Sequence, residues 1–314
     1  MSGSILPINS LISKVHKMKK FIYIAVGIIL ITSLMPGINY SAPAILLEVS
    51  IESPEASREM ILEAEGVISK RLEAYGIAGF ETLPHPEKPQ ITIRFKEAVP
   101  AGEIIPLLSS VGRLEFCEVY TQAEVFKILD EAAARKTWEA WLPLGMETAD
   151  NGAIIGSINR VQLQEFARFA QSPEAFSALP GNLRFAYGLT QDVEGQQDLY
   201  ALRYGLDGGP VLAGSAVAES QVRYDERTET ASIGITFGKE GSARWAQATR
   251  ENMLRPIAIV FDGQVVFAPR VMAEIQSGQA EITGGFSSEQ ARLIAALIQG
   301  GELPAPFRVK EVKQ

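Results

Sequence analysis

The sequence predicts an α+β fold of 314 residues, built from two successive strand-and-helix units behind one apolar N-terminal helix. Three observations carry this. Lys17, Lys19 and Lys20 precede an apolar stretch over residues 21–35 that ends at the helix breakers Pro36 and Gly37. Met60, Ile61, Ala64, Val67, Ile68, Leu72 and Tyr75 recur at three- and four-residue spacing, one face of a helix that Gly76 stops. In RPIAIVFDGQVVFAPRV, residues 255–271, two apolar runs flank Asp262-Gly263, the dipeptide that best tolerates the positive φ angles of a type I′ hairpin turn. Pro269 cannot donate to a ladder, so the second strand of that hairpin is expected to end there or to lie at a sheet edge.

Residues 1–18 read as a cytoplasmic leader or an upstream extension, because Met18 before Lys19 and Lys20 makes a natural start. Residues 19–44 read as a retained membrane anchor or, alternatively, a cleaved signal peptide closing on Ala42-Pro43-Ala44. The apolar run is short against the roughly 20 residues of a membrane span. Its positive flank stays in the cytoplasm, so the chain from Ile45 onward is expected on the other side of that membrane.

Residues 45–52 form a strand, and Ser53-Pro54 is expected to cap and start the helix that follows. Two strands near residues 79–83 and 90–95 come next, joined by a Pro-rich link holding His85. A helix over 101–111 and the strand RLEFCEVY complete the order βαββαβ, the ferredoxin-like arrangement of an antiparallel sheet with both helices on one face. Thr121 with Glu124 is a capping box that opens a further helix. From there to about residue 209 the pattern blurs into an insertion with its own small core, rich in aromatics and with one periodic helix over 161–170. Periodicity returns with a strand over 231–237, a helix over 240–254, the hairpin, a strand near 280–283, and a helix opened by Ser287 and Gln290 and ended by Gly300 and Gly301. The last residues can return as a strand.

Composition narrows the chemistry. The first 44 residues hold four lysines and no acid, so the rest carries 25 basic against 37 acidic residues, a net charge of −12 that repels nucleic acid. The lone Cys117, set among apolar neighbours, reads as a buried strand residue. His16 and His85 are the two histidines, and no HExxH, CxxC or EF-hand pattern is present, so neither a metal nor a cofactor is expected. FGKEGS around Lys239 and TGGF at residues 283–286 read as turns that precede helices rather than phosphate cradles. Glu48, Glu52 and Glu63 are explained by strand alternation or a solvated helix face. With no nucleophile, base or metal constellation, the expectation is a binding module, not an enzyme.

Four ordered motifs then carry a resemblance: Thr-Arg-Glu-Asn at residues 249–252, the hairpin of residues 257–269, ITGGF with its following helix at 282–291, and GELPAP at 301–306. Together they resemble the SecD family, in the C-terminal part of its first large periplasmic domain. AEGVISKRLEAYGIAGFE is similar to that domain's first helix, and SSVGRLEFCEVY to its Leu-Glu-Phe strand. Two departures stand out: GINYSAP has Asn39 where the family has an acid, and the sequence stops at Gln314 where the family continues into membrane helices that couple protons.

The resemblance implies a ferredoxin-like base subdomain over residues 45–120, with an inserted α+β head subdomain over 121–303 and a C-terminal strand over 304–314 returning to the base. Pro304 and Pro306 would stiffen the connection. It also implies Thr249, Asn252, Asp262, Gly263, Pro269, Gly284, Gly285, Phe286, Pro304 and Pro306 as family motif positions. The expected function is an accessory factor in protein export that holds unfolded exported polypeptides without a proton-driven motor of its own. Its partners would be the Sec translocon or SecD/SecF-type membrane subunits, with the N-terminal helix in the membrane. A module that kept the fold but not the export role, and a fragment of a split SecD, stand as alternatives. Trp141, Phe185, Tyr187 and Phe267 are the candidate polypeptide contacts, either through an aromatic groove or through strand addition at the hairpin.

Overall fold

The computed structural model describes residues 47–142, 152–159, 161–189, 195–227 and 230–313. The leader and the apolar stretch expected to anchor or target the chain lie outside these residues. Among the described residues no helix is long and apolar enough to cross a membrane. The elements begin β1 (Leu47–Glu52), α1 (Arg58–Ala74), β2 (Phe80–His85), β3 (Gln90–Phe95), α2 (Ala101–Ser109) and β4 (Leu114–Tyr120). They continue α3 (Gln122–Glu131), α4 (Arg135–Trp138), β5 (Ile154–Asn159), α5 (Leu163–Ala170), α6 (Pro173–Phe176), β6 (Leu183–Gly188), β7 (Gln196–Arg203) and β8 (Leu212–Ala213). The last are β9 (Val217–Asp225), β10 (Thr230–Phe237), α7 (Lys239–Glu251), β11 (Ile257–Phe261), β12 (Gln264–Phe267), β13 (Gln279–Phe286), α8 (Ser288–Gly300) and β14 (Arg308–Lys313). They divide into two compact units, one made of residues up to Gly112 and from Arg292 onward, the other Arg113–Ala291.

The first unit is a four-stranded antiparallel sheet in the order β14-β1-β3-β2. Val49, Ile51, Ile91 and Ile93 alternate inward from its central strands and meet Ile61, Ala64, Ile68 and Leu72 of α1, all fully buried. Each valine, isoleucine and leucine among them contributes roughly 1.5–3 kcal/mol through the apolar surface it hides. The helix starts later than Ser53-Pro54 suggests. Ser57 is the N-cap, its Oγ accepting from the Met60 N–H at 3.3 Å, while the Ser53 N–H is spent on the Pro89 carbonyl. Pro84 and His85 also differ from the expected link: they are the last residues of β2, and the edge position of that strand is what tolerates a proline.

A larger correction concerns RLEFCEVY. The order βαββαβ assigns it to the first sheet, yet β4 pairs with β11 on one side and with β8 and β7 on the other, in the second unit. The place beside β1 is taken by β14, in register from Glu48↔Lys313 to Glu52↔Arg308. A strand's own pattern fixes which of its faces is buried but not which partner it meets, so both placements satisfy the alternation of β4.

In the second unit the order β5-β7-β6-β12-β11-β4-β8 gains an additional pairing of β7 with β4. The strands β4, β11, β12, β6 and β7 therefore close into a ring, with β12 and β6 parallel and every other pair antiparallel. One cluster of buried side chains is drawn from all five: Cys117, Val119, Val260, Val265, Ala186 and Leu202 among them. The cluster is mostly small and medium side chains, its alanines, valines and single cysteine, with Tyr200 as its one large buried member. Burial pushes the Cys117 thiol up to about 12, with the nearby Glu115 carboxylate acting in the same direction.

Of the two expected outcomes for the hairpin the first holds: its second strand ends at Phe267, before Pro269, and closure removes the edge that strand addition there would need. β12 lies between β11 and β6 and is not a sheet edge. Pro269 falls beyond the strand, where its carbonyl still accepts from the Ile257 N–H at 3.1 Å, so the missing donor disturbs no ladder. A separate three-stranded sheet, β13-β10-β9, completes the unit. Phe116 of β4, Phe237 of β10 and Trp245 of α7 join it to the ring, with edge-on centroid distances of 5.2 Å from Phe116 to each of the other two.

Candidate functional site

The motif residues Thr249 and Asn252 are both buried, and their side chains build a turn. Thr249 Oγ1 donates back to the Trp245 carbonyl at 2.9 Å and accepts from the Ile275 N–H at 2.9 Å, which ties the segment after the hairpin to α7. Asn252 Nδ2 donates to Glu118 Oε1 at 3.0 Å and to the Ala248 carbonyl at 2.9 Å. The next two residues are thereby turned outward. Met253 and Leu254 are 45% and 62% exposed, and Met272 beside them is 70% exposed. The Leu254 N–H donates to the Val271 carbonyl at 2.8 Å, which sets the two segments side by side.

Leu254 has φ +61°, the left-handed region that a side chain enters at a cost of roughly 1–2 kcal/mol. A glycine there would avoid both the strain and the exposed apolar surface. Methionine is unbranched and polarizable, so Met253 and Met272 adapt to apolar partners of varied shape. The three side chains are apolar and exposed, on two segments joined by the Leu254–Val271 hydrogen bond. Among the described residues no group of three or more His, Cys, Asp or Glu is placed to hold a metal ion.

The turn is also tied to a charged cluster. Arg255 donates to Glu124 Oε2 at 2.8 Å, Arg203 to Glu124 Oε1 at 3.2 Å, and the capping box of Thr121 closes on the same carboxylate. Burial alone would raise the Glu124 pKa, but Arg255 and the Thr121 bonds outweigh it and hold it at about 2, below its ordinary 4.5. Because the folded value is the lower one, this stabilisation is complete above the unfolded pKa and disappears as pH falls from about 4.5 through about 2. Glu124→Gln is expected to lower unfolding stability by about 1–2 kcal/mol at pH 7, a figure reduced for solvent screening, and the difference from wild type should shrink in urea melts near pH 3.

The other expected positions are distributed differently. Asp262 and Gly263 have φ +47° and +78°, the type I′ turn, and Asp262 Oδ1 accepts from the Arg113 N–H at 2.8 Å. Pro269 is partly buried. Gly284 and Gly285 lie inside β13 rather than in a turn, with the Phe286 ring across Gly284 so closely that a Cβ there would sit 2.7 Å from it. Pro304 is half-buried and Pro306 exposed, alternating with buried Leu303, Ala305 and Phe307. Trp141, Phe185 and Tyr187 are brought together, each against Phe166 at 5.3, 5.1 and 6.4 Å, as the margin of a core centred on Trp138. Phe267 is 37% exposed. Met253, Leu254 and Met272 were not singled out by pattern, since only backbone conformation distinguishes Leu254 from a core leucine.

A family model for the SecDF P1 head subdomain matches residues 189–305, which include β7, the hairpin, the Met253–Leu254 turn and α8. That segment of the chain is thus similar to the head subdomain of a SecDF P1 domain. The protein translocase subunit SecD of Desulfurispirillum indicum is 30% identical over 171 residues, 53% of this chain and 33% of that relative. SecDF of Thermus thermophilus is 26% identical over 271 residues, 86% of this chain and 29% of the relative. The chain therefore spans about a third or less of the length of these proteins. The crystal structure of SecDF in a super-membrane-facing form superposes with a TM-score of 0.53 at 23% identity, over 85% of this chain and 30% of that one. A second solved chain, from work on a membrane component SecDF that enhances protein export, gives 0.52 at 22% identity over 85% of this chain and 99% of its own. At these identities the structures show a shared fold.

Proposed function

We propose that this chain acts in protein export as a SecD-type accessory factor that holds unfolded polypeptide beyond the cytoplasmic membrane. In this reading the first unit is a ferredoxin-like base, the N-terminal apolar segment ties the chain to the membrane, and the Sec translocon or SecD/SecF-type subunits are its partners. It carries out no bond-breaking chemistry, requires no cofactor and leaves nucleic acid alone. The observation that supports it is the exposed Met253, Leu254 and Met272 surface, built by motif residues inside the segment that matches the head subdomain.

Leu254→Gly separates holding from folding. It should raise unfolding stability by about 1 kcal/mol through relief of the left-handed strain. It should also weaken binding of reduced, carboxymethylated lactalbumin, a permanently unfolded chain, by about tenfold through the lost leucine contact. Fluorescence anisotropy with the full chain reads the binding and urea titration reads the stability. Wild-type chain that fails to bind the unfolded probe would leave the fold as a structural module without a holding role.

A further inference from the structure

The holding role leaves open how an extended chain is gripped, and the edge of β9 supplies a geometry for it. The other strand ends of the three sheets are protected in recognisable ways. β2 carries Pro84, β14 presents Arg308, Lys310 and Lys313, and β8 is two residues long. β5 is largely buried, and β13 is interrupted by Gly284 and by Gly285 with its φ of +64°. β9 has no proline, glycine, lysine or burial to protect it, and its charges are Glu219 and Asp225 near its ends and Arg223. It runs for nine residues and pairs in even register with β10 from Glu219↔Thr236 to Asp225↔Thr230.

Its side chains divide cleanly. Val222 and Tyr224 stand opposite Ile233 and Ala231, both buried, and are themselves 39% and 54% exposed. They extend the apolar face of the sheet outward to its rim. On the other face Arg223 is drawn away from the rim: it lies over Gly234, where a Cβ would meet its Nε at 2.9 Å, and reaches Glu281 of β13 at 4.0 Å. Gln221–Asp225 therefore offers a strand edge flanked by apolar side chains at alternate positions.

Resting on the holding role proposed above, we infer that Gln221–Asp225 captures an extended segment of unfolded polypeptide as an added antiparallel or parallel strand. The backbone of the segment supplies the hydrogen bonds, and apolar residues at every second position continue the row begun by Val222 and Tyr224. Main-chain pairing is blind to sequence, which suits clients that share only an unfolded backbone.

The test uses the full chain and a short fluorescent peptide alternating valine and threonine between terminal lysines. A twin peptide carries N-methyl groups on alternate amides, which removes backbone donors while keeping the side chains. The twin should bind on the order of tenfold more weakly. Carbon-13 carbonyls in the unmodified probe should shift to a sheet-like amide I position on binding, and Val222→Lys with Tyr224→Lys should weaken binding comparably. Equal binding of the two peptides overturns the inference. So does a self-association of the chain that the double lysine variant abolishes while probe binding is unchanged. If unfolded lactalbumin binds but the strand probe does not, the β9 edge is excluded and the holding role survives. If neither binds, both fall.

Discussion

Arg71→Met is expected to destabilise the first unit by about 3–5 kcal/mol, the range for stripping the partner from buried, charge-assisted hydrogen bonds. Arg71 is fully buried in α1 and donates to four backbone carbonyls. Its Nε reaches Gly301 O at 3.1 Å, one terminal nitrogen reaches Leu107 O at 3.0 Å and Ser110 O at 2.7 Å, and the other reaches Val111 O at 2.7 Å and Gly301 O at 2.6 Å. Leu107 and Ser110 sit at the C-terminal end of α2 and Gly301 just beyond α8, where unpaired carbonyls and the negative ends of the helix dipoles gather. Methionine fills the volume and satisfies none of these acceptors. Arg71→Lys should recover only part of the loss, because an ammonium cannot span four carbonyls from one position. Urea denaturation of the three forms at one pH orders them wild type, lysine, methionine.

The second large effect is expected at Trp138, which is fully buried at the end of α4. Its ring meets Phe166, Phe169 and Phe185 at 6.3, 4.7 and 5.5 Å, and the surrounding cluster draws on α3, α5, β6 and β7. Trp138→Ala removes the centre of that cluster and should cost about 3–5 kcal/mol, seen as a lower calorimetric melting temperature. Trp138→Phe should cost far less. The indole N–H has no hydrogen-bond partner among the described residues, so a phenyl ring forfeits volume without orphaning an acceptor.

The two predictions mark where sequence reading succeeds and where it stops. The stripe from Ile61 to Tyr75 identifies α1, and the Thr121–Glu124 capping box is present as its spacing indicates. Arg71 continues the same stripe, three residues after Ile68, yet a charge at that spacing reads as a solvated flank unless the carbonyls it serves are known to converge. Those carbonyls come from residues 107–111 and 301, and local pattern carries no record of so distant a meeting. The misplacement of RLEFCEVY has the same origin: alternation reports burial, and pairing depends on chain segments far apart. Aromatic composition singles out residues without reporting how far packing uses them. Trp141, Phe185 and Tyr187 do gather, but against Phe166, where packing consumes most of their surface. Leu254 shows the limit from the other side, since a strained and exposed leucine is spelled no differently from a comfortable one.

Enclosure of Cys117 within the five-stranded ring has a practical consequence. A thiol whose proton is held until about 12 is almost wholly uncharged at neutral pH, and thiol reagents attack through the thiolate. The native sulfur should therefore stay silent toward maleimides and spin labels without being mutated away. A cysteine introduced at Val222 or Leu254 then becomes the one addressable atom on the molecule, so a reporter can be attached beside either candidate contact in an otherwise unaltered chain.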